Sequence, residues 1–465
     1  MSTTASATLT TGPAAGLAPF APPGSAEYAE ATAAYQLAAA VEPVAAFTAR
    51  TVQDVVHAVT TARRAGLPLQ VSTTGHAIGR TGSPTGPLDG ALLLRPLIDA
   101  PVRVDPHQRT ARVPAGKTWG EVLPQVVPHG LTVLHGSSPT VGVIGYLLGG
   151  GISFYGRRFG LAANSVRSLT LVLADGQVVT ASATQRPELF WALRGGGGGF
   201  GVVVEAEIDL VPVHAVVTGT AVWDAADAAR LAPLWQEWAR TAPPQITTSL
   251  RMLSLPPLPS LPPALAGRRV LALDGAATAT TAADLPAARR IVEDMLAPLS
   301  AVAQPRLNTW APAPPQALPA VHMDPPGPVA FSSDTALVGE LDEAGWAALL
   351  GAAPSLLALE LRQLGGALGT PVPGGGALDH FSAPLQYYAV GLADPDTAAA
   401  TATDLRAARS ALRPYLTGLT APNFVDSSQQ PQRSYDAATR ARVERIRLEV
   451  DRDGLFARDV SPVRD

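Results

Sequence analysis

The feature that most constrains this chain is a glycine turn that presents one histidine. Residues 67–71 predict a short apolar strand, which leads directly into Ser72-Thr73-Thr74-Gly75-His76-Ala77. A second loop of small residues follows at 136–142, and a triple glycine at 149–151. Turns of this composition expose backbone N–H groups and leave room beside the main chain. The pattern therefore predicts a site where a flat ring and a pyrophosphate lie against the backbone.

The composition supports buried cores and excludes several classes of function. A chain of 465 residues is too long for one core, so we expect two or three domains. Hydrophobic residues make up 47% of the chain, which is enough to form buried cores. The net charge of −4 gives no electrostatic basis for binding nucleic acid or an anionic membrane. The chain has no cysteine, which excludes disulfides, thiolate nucleophiles and cysteine metal sites.

The N-terminal residues lack the pattern of a signal peptide, and no apolar run reaches the length of a membrane span. No spacing typical of a metal site occurs either. We therefore expect a cytoplasmic protein that binds a small molecule, but neither nucleic acid nor a membrane, as a monomer or homodimer.

Helical and strand patterns alternate over residues 45–212, which predicts an α+β arrangement. A helix is expected from Thr51 to about Gly66, and Asp175-Gly176 predicts a hairpin turn. Proline-rich loops then separate strand-like runs at 247–253, 358–364 and 385–391. Loops of that length inside a compact domain usually line a binding site.

The glycine-histidine turn, the loop 136–142 and the triple glycine together resemble the flavin-binding module of the vanillyl-alcohol-oxidase superfamily, which is the PCMH type. Within it, they resemble the berberine-bridge-enzyme-like oxidoreductases. The resemblance implies a two-subdomain FAD-binding domain at 41–212, after an N-terminal segment at 1–40. It further implies an inserted α+β substrate domain with an antiparallel sheet at 213–395, and a C-terminal return to the FAD domain at 396–465.

In that family the turn histidine is bonded to the 8α-methyl group of FAD, and here that residue is His76. Ser138 stands where many relatives have a cysteine that makes a second bond to the flavin, so a single attachment is implied. Val141 and Val143 are expected to border the approach of O2. The other residues expected to hold FAD are Ser72, Thr73, Thr74, Gly75, Ala77, Ser137, Thr140, Val141, Gly142, Gly145, Gly149, Gly150, Gly201, Val202, Val203 and Asn423.

Two further glycine motifs do not indicate nucleotide binding. The run 196–201 satisfies G-x-G-x-x-G, but it follows a predicted helix and opens a strand, the reverse of the Rossmann order. Residues 116–118 resemble the end of a P-loop, but Ala111 replaces the required glycine.

The chain departs from the family where a tyrosine usually assists the removal of the substrate's proton. Ala421 and Phe424 occupy the two tyrosine positions around Asn423. We expect Glu360 or Tyr146 to act as the base instead. Because side chains alternate along a strand, Glu360 and Arg362 lie on the same face of theirs. A partly desolvated carboxylate there is expected to have a raised pKa. A solvated ion pair is an equally good reading of these two charges.

The expected substrate pocket contains Tyr155, Arg251, Arg362 and Tyr388. Tyr387 and Tyr388 point to opposite faces of their strand, so at most one of them faces the site. For each tyrosine, a buried structural role is the alternative.

These features favour an FAD-dependent oxidase or oxygenase that oxidises a natural-product intermediate, such as a polyketide, with O2 as the electron acceptor. The chain is also similar to the enterocin flavoenzyme, a singly linked member of the family. Two alternatives stay open: a carbohydrate or alcohol oxidase of the same family, and a redox-silent protein that uses the flavin fold as a scaffold or cyclase.

Overall fold

The fold is that of a computed structural model, which describes residues 16–80, 90–257, 265–352 and 354–460. Its helices are α1 (Ala26–Thr32), α2 (Val52–Ala65), α3 (Trp119–Val126), α4 (Val143–Leu148), α5 (Gly156–Phe159), α6 (Pro187–Leu193), α7 (Ala228–Thr241), α8 (Leu285–Val302), α9 (Glu343–Gly351), α10 (Ala398–Ala411) and α11 (Ala437–Val450).

The strands are β1 (Ala45–Ala49), β2 (Leu69–Val71), β3 (Leu92–Pro96), β4 (Arg103–Asp105), β5 (Thr110–Pro114), β6 (Leu131–Thr132), β7 (Val166–Val172), β8 (Val178–Ser182), β9 (Val202–Asp209), β10 (Val211–Pro212), β11 (Ala215–Asp224), β12 (Ile246–Ser254), β13 (Arg269–Ala279), β14 (Leu307–Asn308), β15 (Ala311–Ala313), β16 (Phe331–Val338), β17 (Ala358–Gln363) and β18 (Leu385–Leu392).

In the described residues, the first part of the chain forms two larger sheets and a two-stranded sheet of β6 and β10. A parallel sheet has the order β1-β3-β2, and an antiparallel sheet has the order β4-β5-β9-β7-β8. Helix α2 connects β1 to β2; a capping box of Thr51 and Asp54 begins it, and Gly66 ends it in the left-handed conformation. The strand β2 is thereby aimed at the glycine-histidine turn.

A large antiparallel sheet occupies the second part of the chain. Its order is β14-β11-β13-β12-β17-β18-β16, and β15 also pairs with β11. One face packs on helices α7 to α10, with Tyr387 among its buried residues. Side chains alternate along each strand, so Glu360, Arg362 and Tyr388 lie on the opposite face, where they line a cavity.

Most predicted elements are present, but the sequence patterns missed several. The long strands β11 and β13 and the helix α8 were not anticipated, and the loop after Gly142 contains the short helix α4. Alanine-rich segments of this kind carry weak periodicity, and tertiary packing decides their conformation. The boundaries at residues 40, 212 and 395 stay predictions.

Candidate active site

A cavity of about 720 Å³ lies between the glycine-histidine turn and the inner face of the large sheet. It brings together most of the residues expected from the sequence: Ser72, Thr73, Thr74, Gly75, His76, Ala77, Ser137, Ser138, Val141, Gly142, Gly145, Tyr146, Gly201, Val203, Arg251, Glu360, Arg362, Tyr388 and Asn423. Thr140, Gly149, Gly150, Val202 and Tyr155 lie outside this lining.

The imidazole of His76 is held on two sides. Its Nε2 lies 3.1 Å from the Thr140 hydroxyl, whose oxygen is 2.8 Å from the hydroxyl of Ser138. The ring stacks on Tyr35, with a centroid distance of 3.7 Å. Burial lowers the pKa of His76 to about 4, although the hydrogen bond to Thr140 opposes that shift. The imidazole is therefore neutral near pH 7. Thr140 contacts its Nε2 and not its Nδ1.

The backbone beside the cavity forms a cradle in which Gly75 and Gly145 lack side chains for different reasons. Gly75 has φ +72°, and a Cβ there would lie 2.6 Å from the Cβ of Ala34. Gly145, in helix α4, faces the cavity, and a Cβ built on it would meet no atom within 4 Å. The free space beside this backbone fits a flat ligand such as an isoalloxazine ring.

Asn423 ties the C-terminal segment to the triple glycine. Its Oδ1 accepts from the N–H of Gly151 at 2.7 Å, and its Nδ2 donates to the carbonyl of Tyr146 at 3.0 Å. A Cβ on Gly149 would come within 2.7 Å of that Nδ2. Asn423 thus fixes the loop behind the cavity while its side chain also lines it.

A short N-terminal strap, residues 35–37, connects the two sides of the cavity. The N–H of Tyr35 donates to the carbonyl of Thr74 in the glycine-histidine turn at 2.9 Å, and its carbonyl accepts from Val329 at 3.0 Å. The Tyr35 hydroxyl donates to the carbonyl of Pro325 at 2.6 Å. The strap therefore contacts both the turn and the proline-rich loop that borders the cavity.

Five buried charged side chains form a cluster on the inner face of the large sheet. The Asp274 carboxylate accepts from Arg251 and lies 3.2 Å from Nδ1 of His322. Nε2 of His322 lies 3.3 Å from Oε2 of Glu360, and Oε1 of Glu360 accepts from Nε of Arg362 at 2.7 Å. No group of three such ligands among the described residues is arranged to hold a metal ion.

The expected elevation of the Glu360 pKa is wrong. Burial alone would raise it, but Arg362 and His322 hold the pKa of this carboxyl well below its usual range. Ser249 adds a hydrogen bond to Oε1 at 2.6 Å. The solvated-pair reading is also wrong, because Glu360 and Arg362 are each 1% exposed. Glu360 therefore stays ionised and has a low affinity for protons.

His322 is a site residue that the sequence did not reveal. Burial and Arg251 oppose its protonation, but the carboxylates of Asp274 and Glu360 outweigh them and raise its pKa to about 9. His322 lies in a proline-rich loop without any local motif, and Asp274 lies on the unpredicted strand β13. Only the proline-rich composition of that loop pointed towards a binding site.

The tyrosines separate into lining and core residues. Tyr388 lines the cavity and packs edge-on against Phe424, with a centroid distance of 5.3 Å. Tyr146 also lines it, although burial raises the pKa of its phenol and the hydroxyl has no partner among the described residues. Tyr155 is fully buried in the hydrophobic core of the first part of the chain, edge-on to His135 with a centroid distance of 5.6 Å.

Asp426 is a second cavity residue that the sequence did not reveal. It follows Asn423 by three positions and is 8% exposed. Its Oδ2 accepts from the N–H of Ser333 at 2.9 Å. Burial raises its pKa to about 7, and hydrogen bonds to Ser333 oppose that shift without reversing it.

Comparison with known proteins identifies an FAD-binding domain in this chain. Residues 43–182 match the FAD-binding domain family. An FAD-dependent monooxygenase, FUP4, of Fusarium proliferatum is 37% identical over 186 residues, which are 40% of this chain and 35% of that protein. The matched segments span between 29% and 47% of the lengths of such curated relatives.

Solved structures extend the likeness over nearly the whole chain. Physcomitrella patens BBE-like 1, variant D396N, has a TM-score of 0.83 at 24% identity and covers 97% of this chain and 98% of its own. The chain therefore contains an FAD-binding domain and has the overall fold of the berberine-bridge-enzyme-like structures. Glucooligosaccharide oxidase from Acremonium strictum, described with a 6-S-cysteinyl, 8α-N1-histidyl FAD, has a TM-score of 0.77 at 20% identity and covers 96% of both chains.

The matched FAD-binding domain includes the glycine-histidine turn. The particular similarity to the enterocin flavoenzyme stays a prediction. Across the described residues, no helix combines the length and the apolarity needed to cross a membrane.

Proposed function

We propose that this chain is an FAD-dependent oxidase or monooxygenase whose flavin is attached by one covalent bond to His76. The proposal is based on the cradle around the glycine-histidine turn. There the partly buried, neutral imidazole of His76 and the open backbone at Gly145 of helix α4 line the same cavity. When bound, the flavin would supply the redox chemistry by accepting two electrons from the substrate.

The contacts of His76 favour attachment through Nδ1. Thr140 occupies the Nε2 side of the ring, and Tyr35 covers one face of it. A neutral imidazole retains the lone pair that a bond to the flavin methyl group requires, and the lowered pKa keeps it neutral. Ser138 offers a hydroxyl, already bonded to Thr140, where a second thioether link would need a sulfur atom.

The substrate side of the cavity favours a largely apolar compound with a few polar groups. Leu253, Leu255 and Pro256 line one part, and Met323 and Pro325 another. Against this apolar lining stands the charged cluster, in which Glu360 and Arg362 are the groups suited to orient polar atoms of the substrate. A natural-product intermediate, such as a polyketide, fits that combination, with O2 as the electron acceptor.

A carbohydrate oxidase is the second candidate. One structural neighbour is a glucooligosaccharide oxidase, and the buried cluster around Arg251 supplies donors and acceptors that sugar hydroxyls require. A redox-silent scaffold is the third candidate; it predicts bound flavin without any substrate-dependent reduction.

The test begins with the absorbance spectrum of the purified protein before and after acid precipitation, with mass spectrometry of the peptide that contains His76. Flavin retained on that peptide supports the proposal, and its absence from a His76→Ala variant localises the bond. Flavin released into the supernatant of the wild type would refute covalent attachment. Anaerobic bleaching with polyketide-like and sugar panels then separates the three candidates.

A further inference from the structure

We propose that Asp426 takes up the proton that the substrate loses during oxidation, through the hydroxyl groups of Tyr388 and Ser333. This inference rests on the proposed function and names the proton acceptor of that same site. It assigns to an aspartate the role that the sequence predicts for Glu360 or Tyr146.

The surroundings of Asp426 suit a group that gains and loses a proton. Its carboxylate accepts from the Ser333 N–H at 2.9 Å and from Nε2 of Gln36 at 3.5 Å, and it forms no ion pair with a cationic side chain of the described residues. Its own N–H is bound by Gln430, which fixes the loop. A buried carboxyl without a compensating cation binds a proton more readily than a solvated one.

Ser333 and Tyr388 connect Asp426 to the cavity. Ser333 lies on β16, two positions before Thr335, which pairs with Tyr388 on β18, so Ser333 and Thr335 share a face of the sheet. Burial and the nearby Asp426 raise the pKa of Tyr388, whereas a hydrogen bond with the Ser333 hydroxyl lowers it. The phenol, the hydroxyl and the carboxyl all line the cavity beside Phe424, whose carbonyl accepts from the Ser333 hydroxyl at 3.4 Å.

Asp426 differs in its surroundings from Glu360 and from Asp459, which also lines the cavity but is acted on by Arg80 and Arg447. Glu360 accepts from Ser249 and Arg362 and faces His322, so its charge is strongly stabilised. Asp426 has only neutral donors, and burial brings its pKa to about 7. When two carboxyl groups of one site have such different pKa values, the one near the working pH is suited to exchange protons.

Other charged groups near Asp426 act in the same direction or are neutralised. Asp334, on the same strand as Ser333, raises the pKa of Asp426, and Arg409 pairs with Asp334 at 2.6 Å. Glu360 and Asp324 act on Tyr388 in the cavity and raise its pKa. No described cation is placed to keep Asp426 ionised below neutral pH.

The substrate loses a proton and a hydride from two adjacent atoms. An O–H or acidic C–H bond breaks, its proton passes to the Asp426 carboxylate through the two hydroxyls, and each hydroxyl gives one proton as it receives one. The neighbouring C–H bond breaks with both its electrons as a hydride, for which oxidised FAD would be the acceptor, and a C=O or C=C bond forms between the two atoms. The protonated Asp426 then returns its proton to solvent.

The test compares Asp426→Asn with Glu360→Gln in the holoenzyme. The first readout is carbon NMR of protein labelled at the aspartate carboxyl: a resonance that titrates near pH 7 and is missing in Asp426→Asn is expected. Asp394→Asn, at an exposed position, is the control for the assignment. A wild-type protein without a carboxyl titrating between pH 6 and 8 would overturn the proposal.

The second readout is the anaerobic rate of flavin bleaching against pH, with the compound from the panels that bleaches fastest. The wild-type rate should rise with pH through about 7, since the deprotonated carboxylate is the acceptor. In Asp426→Asn, the rise of the rate with pH should disappear and the rate should fall about 100-fold. In Glu360→Gln, the rise with pH should remain. An unchanged rise with pH in Asp426→Asn would overturn the inference.

Two further variants protect the test against misfolding of Asp426→Asn. Ser333→Ala and Tyr388→Phe each remove one hydroxyl of the path and leave the carboxyl in place, and both should slow bleaching at pH 7. If neither slows it, the path is refuted. A wild type that binds no flavin, or whose flavin no compound bleaches, would instead contradict the proposed function, while the NMR titration still reports on Asp426.

Discussion

The ring of Tyr35 lies on the imidazole of His76, with the two planes inclined by 14°. Together with the hydrogen bond between Nε2 and the Thr140 hydroxyl, this contact leaves the imidazole little freedom to rotate. A nucleophilic nitrogen held in one orientation reacts faster than one that samples many, because its ordering has already taken place.

Replacement of Thr140 by valine should slow attachment of the flavin to His76. Valine matches the shape of threonine but cannot hydrogen-bond to Nε2, and the loss of about 1 kcal/mol corresponds to about a five-fold slower reaction. The measurement is the fraction of flavin retained after acid precipitation as a function of time after FAD is added to apoprotein. Ser138→Ala, which removes only the neighbouring hydroxyl, should have a smaller effect.

Gly145→Ala should strengthen the folded protein and weaken its binding of FAD. Alanine in the interior of helix α4 adds about 0.5–1 kcal/mol, and its Cβ meets no atom of the protein within 4 Å. The same methyl group occupies the cavity in which we place the flavin. Denaturation of the apoprotein and titration with FAD measure the two effects separately. Gly327→Ala, also with open space around its Cβ, is the matched control; equal FAD affinity in both variants would contradict the cradle.

The stability of the protein should depend on the ionisation of His322. Its pKa rises from 6.5 in the unfolded chain to about 9 in the fold, so the stabilisation is fully present below pH 6.5 and is lost as the pH rises through 9. We expect the free energy of unfolding of the wild type to fall by about 3 kcal/mol over that window relative to His322→Gln. Urea titrations at pH 6.5 and 9.5 measure it, with the exposed His129→Gln as control. Parallel pH profiles for the wild type and His322→Gln would show that the cluster does not hold a charged imidazole.

Arg157 should be important for holding the two parts of the chain together. It is 6% exposed and donates to the carbonyls of Ile246 at 2.9 Å, Ala242 at 2.7 Å and Leu364. Arg157→Met leaves these carbonyls unpaired and should lower the free energy of unfolding by about 3 kcal/mol or separate the transition into two steps. Arg158→Met, which removes a donor to one backbone carbonyl, should lower the free energy of unfolding less. Calorimetric scans of both variants measure the two effects.

The residues that line the cavity could be predicted in part, because they occur in short segments whose composition or alternation indicates their conformation. The turn at Gly75, the hydroxyls of Ser137 and Ser138, and the facing of Glu360 with Arg362 all follow from composition and strand alternation. The partners of those residues could not be predicted. Whether Glu360 meets water, His322 or an arginine depends on the register between distant strands and on a loop without periodicity.

The same limit explains why Asp426 was missed. Three positions from Asn423, it lies in a segment that the sequence reads as a loop, and its environment is made by β16 and by the N-terminal strap. Charge balance at such a site is a property of elements separated by hundreds of residues. The pKa of a buried carboxyl therefore cannot be inferred from its neighbours in the chain.

The strap at residues 35–37 gives the molecule a mechanical link between cofactor and substrate. Tyr35 hydrogen-bonds to Thr74 of the turn and to Val329 and Pro325 of the bordering loop, and it carries the ring on which His76 rests. A displacement of that loop to admit a large substrate pulls on the same residue that orients the imidazole. If the flavin is bonded to His76, as we propose, the cofactor would hold the strap through Tyr35 and thereby restrict the movement of the bordering loop.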